Sequence, residues 1–223
     1  MLGKISAGCL GLTCLIMLWP AVAEAGNGTG LFGNGIRTYA AVSYGWTKLG
    51  RERLGAVSNA SLDDQDNGYR ISAGVEGNNG IMLGFAYNDF GTAEFSAESG
   101  GRYILDGVEQ TAATGLKLET PVTSYGPYIA FDIPLTVLVE RGQPAPPVSV
   151  VPKIGLHFWE VESDMRGGGA SLSLSDDGSD VYYGADLTYK YSNRLSLMAG
   201  YDRYRISGDT IDYLYLGSRI SLY

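Results

Sequence analysis

The chain has 223 residues, a net charge of −8 and only 18% charged residues, with 32 Gly and 16 Tyr. Its basic residues are scattered rather than gathered into a stripe, which argues against nucleic acid as a partner. Its two cysteines, Cys9 and Cys14, lie near the N-terminus, so disulfides cannot hold the remainder together.

The first element is a targeting segment. Lys4 gives a basic start, residues 5–19 form a mostly apolar run without a charge, and Pro20 breaks it. Ala21-Val22-Ala23-Glu24-Ala25 follows, with small-residue cleavage options after Ala23 or Ala25. Residues 1–25 therefore read as a secretory signal peptide. The run is short for a membrane anchor. Neither Cys9 nor Cys14 has the leucine three residues upstream that a lipidation site uses. Cleavage after Ala25 leaves 198 residues, the size of one domain. Residues 26–37 read as a flexible periplasmic segment, and residues 38–223 as a single all-β domain.

From Thr38 onward the period is two rather than 3.6. "TYAAVSYGWTK" sets Ala40, Val42, Tyr44 and Trp46 against Tyr39, Ala41, Ser43, Gly45 and Thr47. "GYRISAGVEG" sets Tyr69, Ile71 and Val75 against Arg70, Ser72, Gly74 and Glu76. "IMLGFAYND", "TSYGPYIAF" and "VPKIGLHFW" alternate in the same way. So do "DVYYGADLTYKY" and "LSLMAGYDRY". In "LYLGSRISLY", Leu214, Leu216, Ile220 and Leu222 share one face, and Tyr215, Gly217, Arg219 and Ser221 the other. That makes eight strands. Tight turns are expected at 77–80 and 192–194, where Asn and Gly supply positive φ. A longer connection spans 134–149, where Pro144, Pro146 and Pro147 rule out a strand interior. The polar, Gly- and Asp-rich stretches 49–67, 90–120, 162–179 and 205–212 read as long loops.

Eight strands of about ten residues, with short turns on one side and long connections on the other, describe an antiparallel up-and-down transmembrane β-barrel. Bilayers tolerate a sheet only when it closes and leaves no unpaired edge. The apolar set then faces lipid. The set rich in glycine and charge faces a narrow interior. "YYGADLTYKYSNRLSLMAGYDRYRISGDTIDYLYLGSRISLY" resembles the OmpA-like and OmpX-like barrels of Gram-negative outer membranes. Tyr183-Gly184, Tyr189, Leu195, "YDRY" at 201–204 and the spacing Gly217, Ile220, Leu222 carry the resemblance. It implies both chain ends in the periplasm and long loops outside the cell. It also implies contact with outer-membrane lipid and lipopolysaccharide, folding by the outer-membrane assembly machinery, a monomer, and an extracellular partner reached through the loops.

Six inward charges stand out as a lumen network: Arg70, Lys153 and Lys190 against Glu76, Asp186 and Asp202, with Asp132 a further candidate near the short-turn end. Their signs nearly cancel, as expected of ion pairs plugging a narrow barrel rather than of a conducting pore. His157 is the only histidine, but Phe158-Trp159 follows it and no serine stands beside it, so no hydrolase pair is expected. "DDQDNG" at 63–68 lacks an EF-hand's ligand spacing, and "SDDGSD" at 175–180 reads as solvated surface. "GTGLFGNG" at 28–35 neither follows a strand nor opens a helix, so it is not a nucleotide loop. No cofactor, metal or catalytic site is expected. The function expected is a structural or surface-interacting barrel of the outer membrane. The alternatives are a small porin-like channel, a lipid A-modifying enzyme and a secreted barrel of lipocalin type.

Overall fold

The computed structural model describes residues 35–50, 54–105, 107–135, 147–206 and 208–222. The expected signal peptide, nearly all of the segment 26–37, and Pro144, Pro146 and Tyr223 lie outside the described residues. Eleven strands follow in order: β1 (Ile36–Leu49), β2 (Leu54–Asp63), β3 (Gln65–Gly77), β4 (Ile81–Leu105), β5 (Val108–Thr111), β6 (Leu116–Phe131), β7 (Ile133–Pro134), β8 (Val148–Gly167), β9 (Ala170–Lys190), β10 (Leu195–Ile206) and β11 (Asp209–Ser221).

Eight of them close a ring in the order β1-β3-β4-β6-β8-β9-β10-β11, and β11 returns to β1. Every neighbouring pair is antiparallel. Closure runs in unbroken register from Tyr39↔Ser221 to Leu49↔Ile211. The turns at one end are tight. Gly80, at φ +81°, donates its N–H to the Gly77 carbonyl, and the Ser192 hydroxyl accepts the N–H of Leu195 at 3.0 Å.

The apolar positions of the alternation point outward. Val42, Tyr44, Trp46, Ile71, Ile154, Leu156, Leu187 and Leu216 are 53–61% exposed. A ring of large apolar side chains this open to the surroundings needs hydrocarbon against it. The belt has an aromatic edge in Trp46, Tyr69, Tyr87, Tyr125, Phe158, Tyr183 and Tyr201, drawn from seven of the eight strands. Neighbouring rings approach, as between Tyr125 and Phe158 at 5.6 Å. This is the interfacial girdle of a transmembrane barrel. Just beyond it the outward residues turn polar: Lys48, Asn67, Glu160 and Arg203.

The polar stretches read as loops are largely strand, which corrects the sequence reading. β4 runs for 25 residues, β8 for 20 and β9 for 21, far more than the 9–11 or so that cross a bilayer. β8 and β9 stay paired out to Gly167↔Ala170, where Gly168 and Gly169 take positive φ. β2 pairs with the far half of β4, from Leu54↔Leu105 to Asp63↔Glu94. Backbone pairing does not depend on side-chain polarity, so the ladder continues into water.

What changes there is which face is apolar. Beyond the girdle β8 shows Glu160, Glu162 and Asp164 outward and carries Val161 and Met165 on its inner face. β6 shows Lys117 and Glu119 outward and Leu116 and Leu118 inward; β4 shows Glu94 and Ser96 outward and Phe95 inward. The pattern within the membrane is thereby inverted, as water on the outside requires. Lys117 donates to Glu119 at 2.5 Å on this wetted wall, and that bond holds the Glu119 carboxyl below its ordinary range.

Candidate functional site: the packed lumen and the cup above it

Two glycine-centred rows assemble the charged core. In the first, Lys153 on β8 pairs with Gly184 on β9, and Gly184 pairs with Asp202 on β10. A Cβ on Gly184 would collide with Asp202. Without one, Lys153 Nζ reaches across to Asp202 Oδ1 at 3.1 Å. In the second row, Asp186 on β9 pairs with Gly200 on β10, and Gly200 pairs with Tyr215 on β11. The Tyr215 hydroxyl spans the gap and donates to Asp186.

Arg70, from β3 on the far side, completes the cluster. Its Nη1 donates to Asp202 Oδ2 at 2.5 Å, and its Nη2 donates to the Tyr182 hydroxyl at 3.3 Å. Lys153 also donates to Asp186 Oδ1 at 2.8 Å and to the Tyr215 hydroxyl. The Arg70 guanidinium lies 5.0 Å from the Tyr128 ring centroid, within cation–π range. Two cations and two carboxylates thus meet on buried side chains, with phenols taking up the remaining hydrogen-bonding capacity. Buried charge is tolerable on such terms. The space left beside Arg70, Lys153, Asp186 and Tyr39 is about 30 Å³, room for one or two waters.

Lys190 and Glu76, the other two expected members, lie elsewhere. Lys190 Nζ sits 3.0 Å from Asp132 Oδ2, and Arg219 Nη2 lies 3.7 Å from the same oxygen. These three form a second cluster at the tight-turn end. Glu76 is buried at 8% exposure, yet none of the ion pairs of Arg70, Lys153, Asp186 or Asp202 includes it. Arg219, only 4% exposed, is not among the expected members. The alternation of the last strand does put it on the inner face, and that is the signal for it.

Toward the hairpin end an aromatic layer lies over the charges. Tyr182 and Tyr204 stack at 4.6 Å, and Phe90 meets Tyr204 edge-on at 4.7 Å. His157 stands in this layer, with its ring 5.2 Å from Tyr204 and 6.0 Å from Tyr182. Both rings meet it edge-on. Above the layer the hairpins enclose a cavity of about 420 Å³ lined mainly by apolar side chains. Among the described residues, no group of three or more His, Cys, Asp or Glu is placed to hold a metal ion.

Closed strands, a lipid-facing girdle and a packed interior define a transmembrane β-barrel, and one solved structure with a TM-score above 0.5 agrees on the fold. A major outer membrane protein from Thermus thermophilus is similar over 84% of this chain and 100% of its own, at TM-score 0.51 and 13% identity. The N-terminal barrel of Pseudomonas aeruginosa OprF is similar over 83% of this chain and 97% of its own, at TM-score 0.46 and 12% identity. Ail of Yersinia pestis is similar over 83% and 99%, at TM-score 0.43 and 14% identity. No protein-family model matches the chain, and no curated protein matches it in sequence. The fold is that of the eight-stranded outer-membrane β-barrels.

Proposed function

We propose that the protein is exported to the Gram-negative outer membrane and serves there as a non-conducting barrel. In this reading the membrane part anchors a rigid crown of hairpins at the cell surface, where it contributes to envelope structure or meets an extracellular partner. Outer-membrane lipid and lipopolysaccharide surround the belt, the assembly machinery inserts it, and it works as a monomer. The observation that carries the reading is the four-membered cluster Arg70, Asp202, Lys153 and Asp186, buried and compensated across the lumen. A conducting pore keeps its charges in water; these are bonded to one another and to tyrosines, with about 30 Å³ left beside them.

The deciding experiment is single-channel recording of the refolded protein in a planar bilayer. Absence of a steady conductance supports the plugged barrel. Large, stable openings would make the small porin-like channel the better reading. Fractionation tests the location: the protein should need detergent for extraction and sediment with outer membranes. Recovery from the soluble periplasm would defeat the assignment.

A further inference from the structure

Strands that leave a membrane for water usually need apolar residues on neither face of an open hairpin. Here the hairpins keep one apolar face and turn it inward. Leu118, Val122, Val161, Leu174, Phe95 and Ile211 surround a cavity of about 420 Å³. Its floor is shut. Leu49, Ile206 and Ile211 belong to the same buried cluster as Phe90, Trp159 and Tyr204, which covers the ion pairs below. The upper wall is not collapsed: Leu174 is 57% exposed and Leu105 45%. A cup meant only to hold water has no use for such a lining, and apolar side chains left open to water are costly.

We propose that this cup is a binding site for a small apolar molecule or hydrocarbon tail. The volume falls within the range of small-molecule sites, roughly 300–1,000 Å³, and is too small for a folded protein segment. The lining holds no Lys or Arg to draw an anionic group downward, while Asp176 and Asp209 stand among its polar members. The occupant is therefore recognised by apolar surface, with any polar end left at the mouth. It comes either from solution as a free molecule or from the surrounding leaflet as an acyl chain. The site stands whether or not the lumen conducts, because it lies above the plug and uses none of its charges.

Trp159 provides the readout, since Val161 packs against its cluster at the cup floor. A Trp19→Phe/Trp46→Phe protein has Trp159 as its sole tryptophan. Refolded into phosphocholine vesicles, it is titrated with 1-bromodecane, whose bromine quenches tryptophan at short range. Saturable quenching is expected, weakened at least tenfold by Leu174→Asp, an exposed wall position. Ser173→Asp, on the opposite face of the same strand, should leave it unchanged. A second sample in vesicles of chain-brominated phospholipid, without bromodecane, separates the sources. Quenching of Trp159 there that Leu174→Asp reduces identifies an acyl chain, whereas saturable quenching by bromodecane alone identifies a free molecule. Either supports the site. Quenching that never saturates and is equal in Leu174→Asp and Ser173→Asp, or no quenching in either sample, overturns it. Urea midpoints of the two variants confirm that both are folded.

Discussion

Arg70 and Asp202, 132 positions apart in sequence, meet inside the barrel at 2.5 Å. The contact joins β3 to β10, which are not neighbours in the ring: β1 and β11 lie between them. Asp202 is fully buried, and its other oxygen faces Lys153. One carboxylate therefore ties together three strands across the lumen.

Asp202→Ala should leave Arg70 and Lys153 sharing Asp186 alone. Removing one partner of a buried pair costs about 3–5 kcal/mol, less where lumen water reaches the orphaned charge. Urea unfolding in lipid vesicles should show that loss. Bilayer recording of the same sample should show flickering openings that favour anions, because the cluster is left net positive. A midpoint equal to wild type would show that Asp202 does not hold the cluster.

Glu76→Gln provides the contrast. Glu76 lies outside the ion pairs of the central cluster, so its loss should be milder than that of Asp202→Ala by about 2 kcal/mol or more. The two unfolding midpoints, taken in one vesicle preparation, decide the ranking. Equal losses would place Glu76 within the network after all.

Gly184→Ala tests the row geometry without removing a charge. The added methyl meets the Asp202 carboxylate oxygen that faces Lys153 and the Tyr201 carbonyl oxygen, and Asp202 Cα lies 2.9 Å away. Overpacking of this kind costs about 1–3 kcal/mol. Gly115→Ala, whose added methyl would come no nearer than 4.0 Å to the Ala97 carbonyl oxygen, should fold as wild type. Comparable folding yields for the two variants would mean that the row can shift to admit a side chain.

Leu216→Arg tests the lipid face. Leu216 lies on β11 at 61% exposure, and a cation near the bilayer midplane costs about 2–4 kcal/mol. Ser218→Thr, two positions on and on the same face, should insert normally. Similar insertion of both into vesicles, scored by heat-modifiable migration, would show that this part of the strand is not in hydrocarbon.

The membrane part of the fold was legible in the sequence because alternation there has one sign throughout. Val42, Ile71, Leu156, Leu187 and Leu216 all fall on the outward phase, and each takes that place. The crown was not legible because its sign reverses. Glu160-Val161-Glu162 and Ser171-Leu172-Ser173-Leu174 are period-two segments too. Scored against a lipid-facing template they read as polar loop, whereas the opposite template would have recovered them. The inner positions of Arg70, Lys153, Asp186 and Asp202 follow from alternation alone. Which of them touch depends on register between strands, and one chain's pattern does not contain that. Glu76 and Lys190 share the inner phase but lie in other rows of the barrel.

The reversal of polarity along β8 also fixes how deep the molecule sits. Below Phe158 the outside of the barrel is apolar; from Glu160 onward it is charged. Sliding upward by one pleat would lift Phe158 and its girdle neighbours out of hydrocarbon, and sliding downward would drag Glu160, Arg203 and Lys48 into it. Both displacements are opposed, so vertical drift and large tilts are suppressed without any anchor outside the barrel. The mouth of the cup is thereby held at a constant height above the leaflet surface.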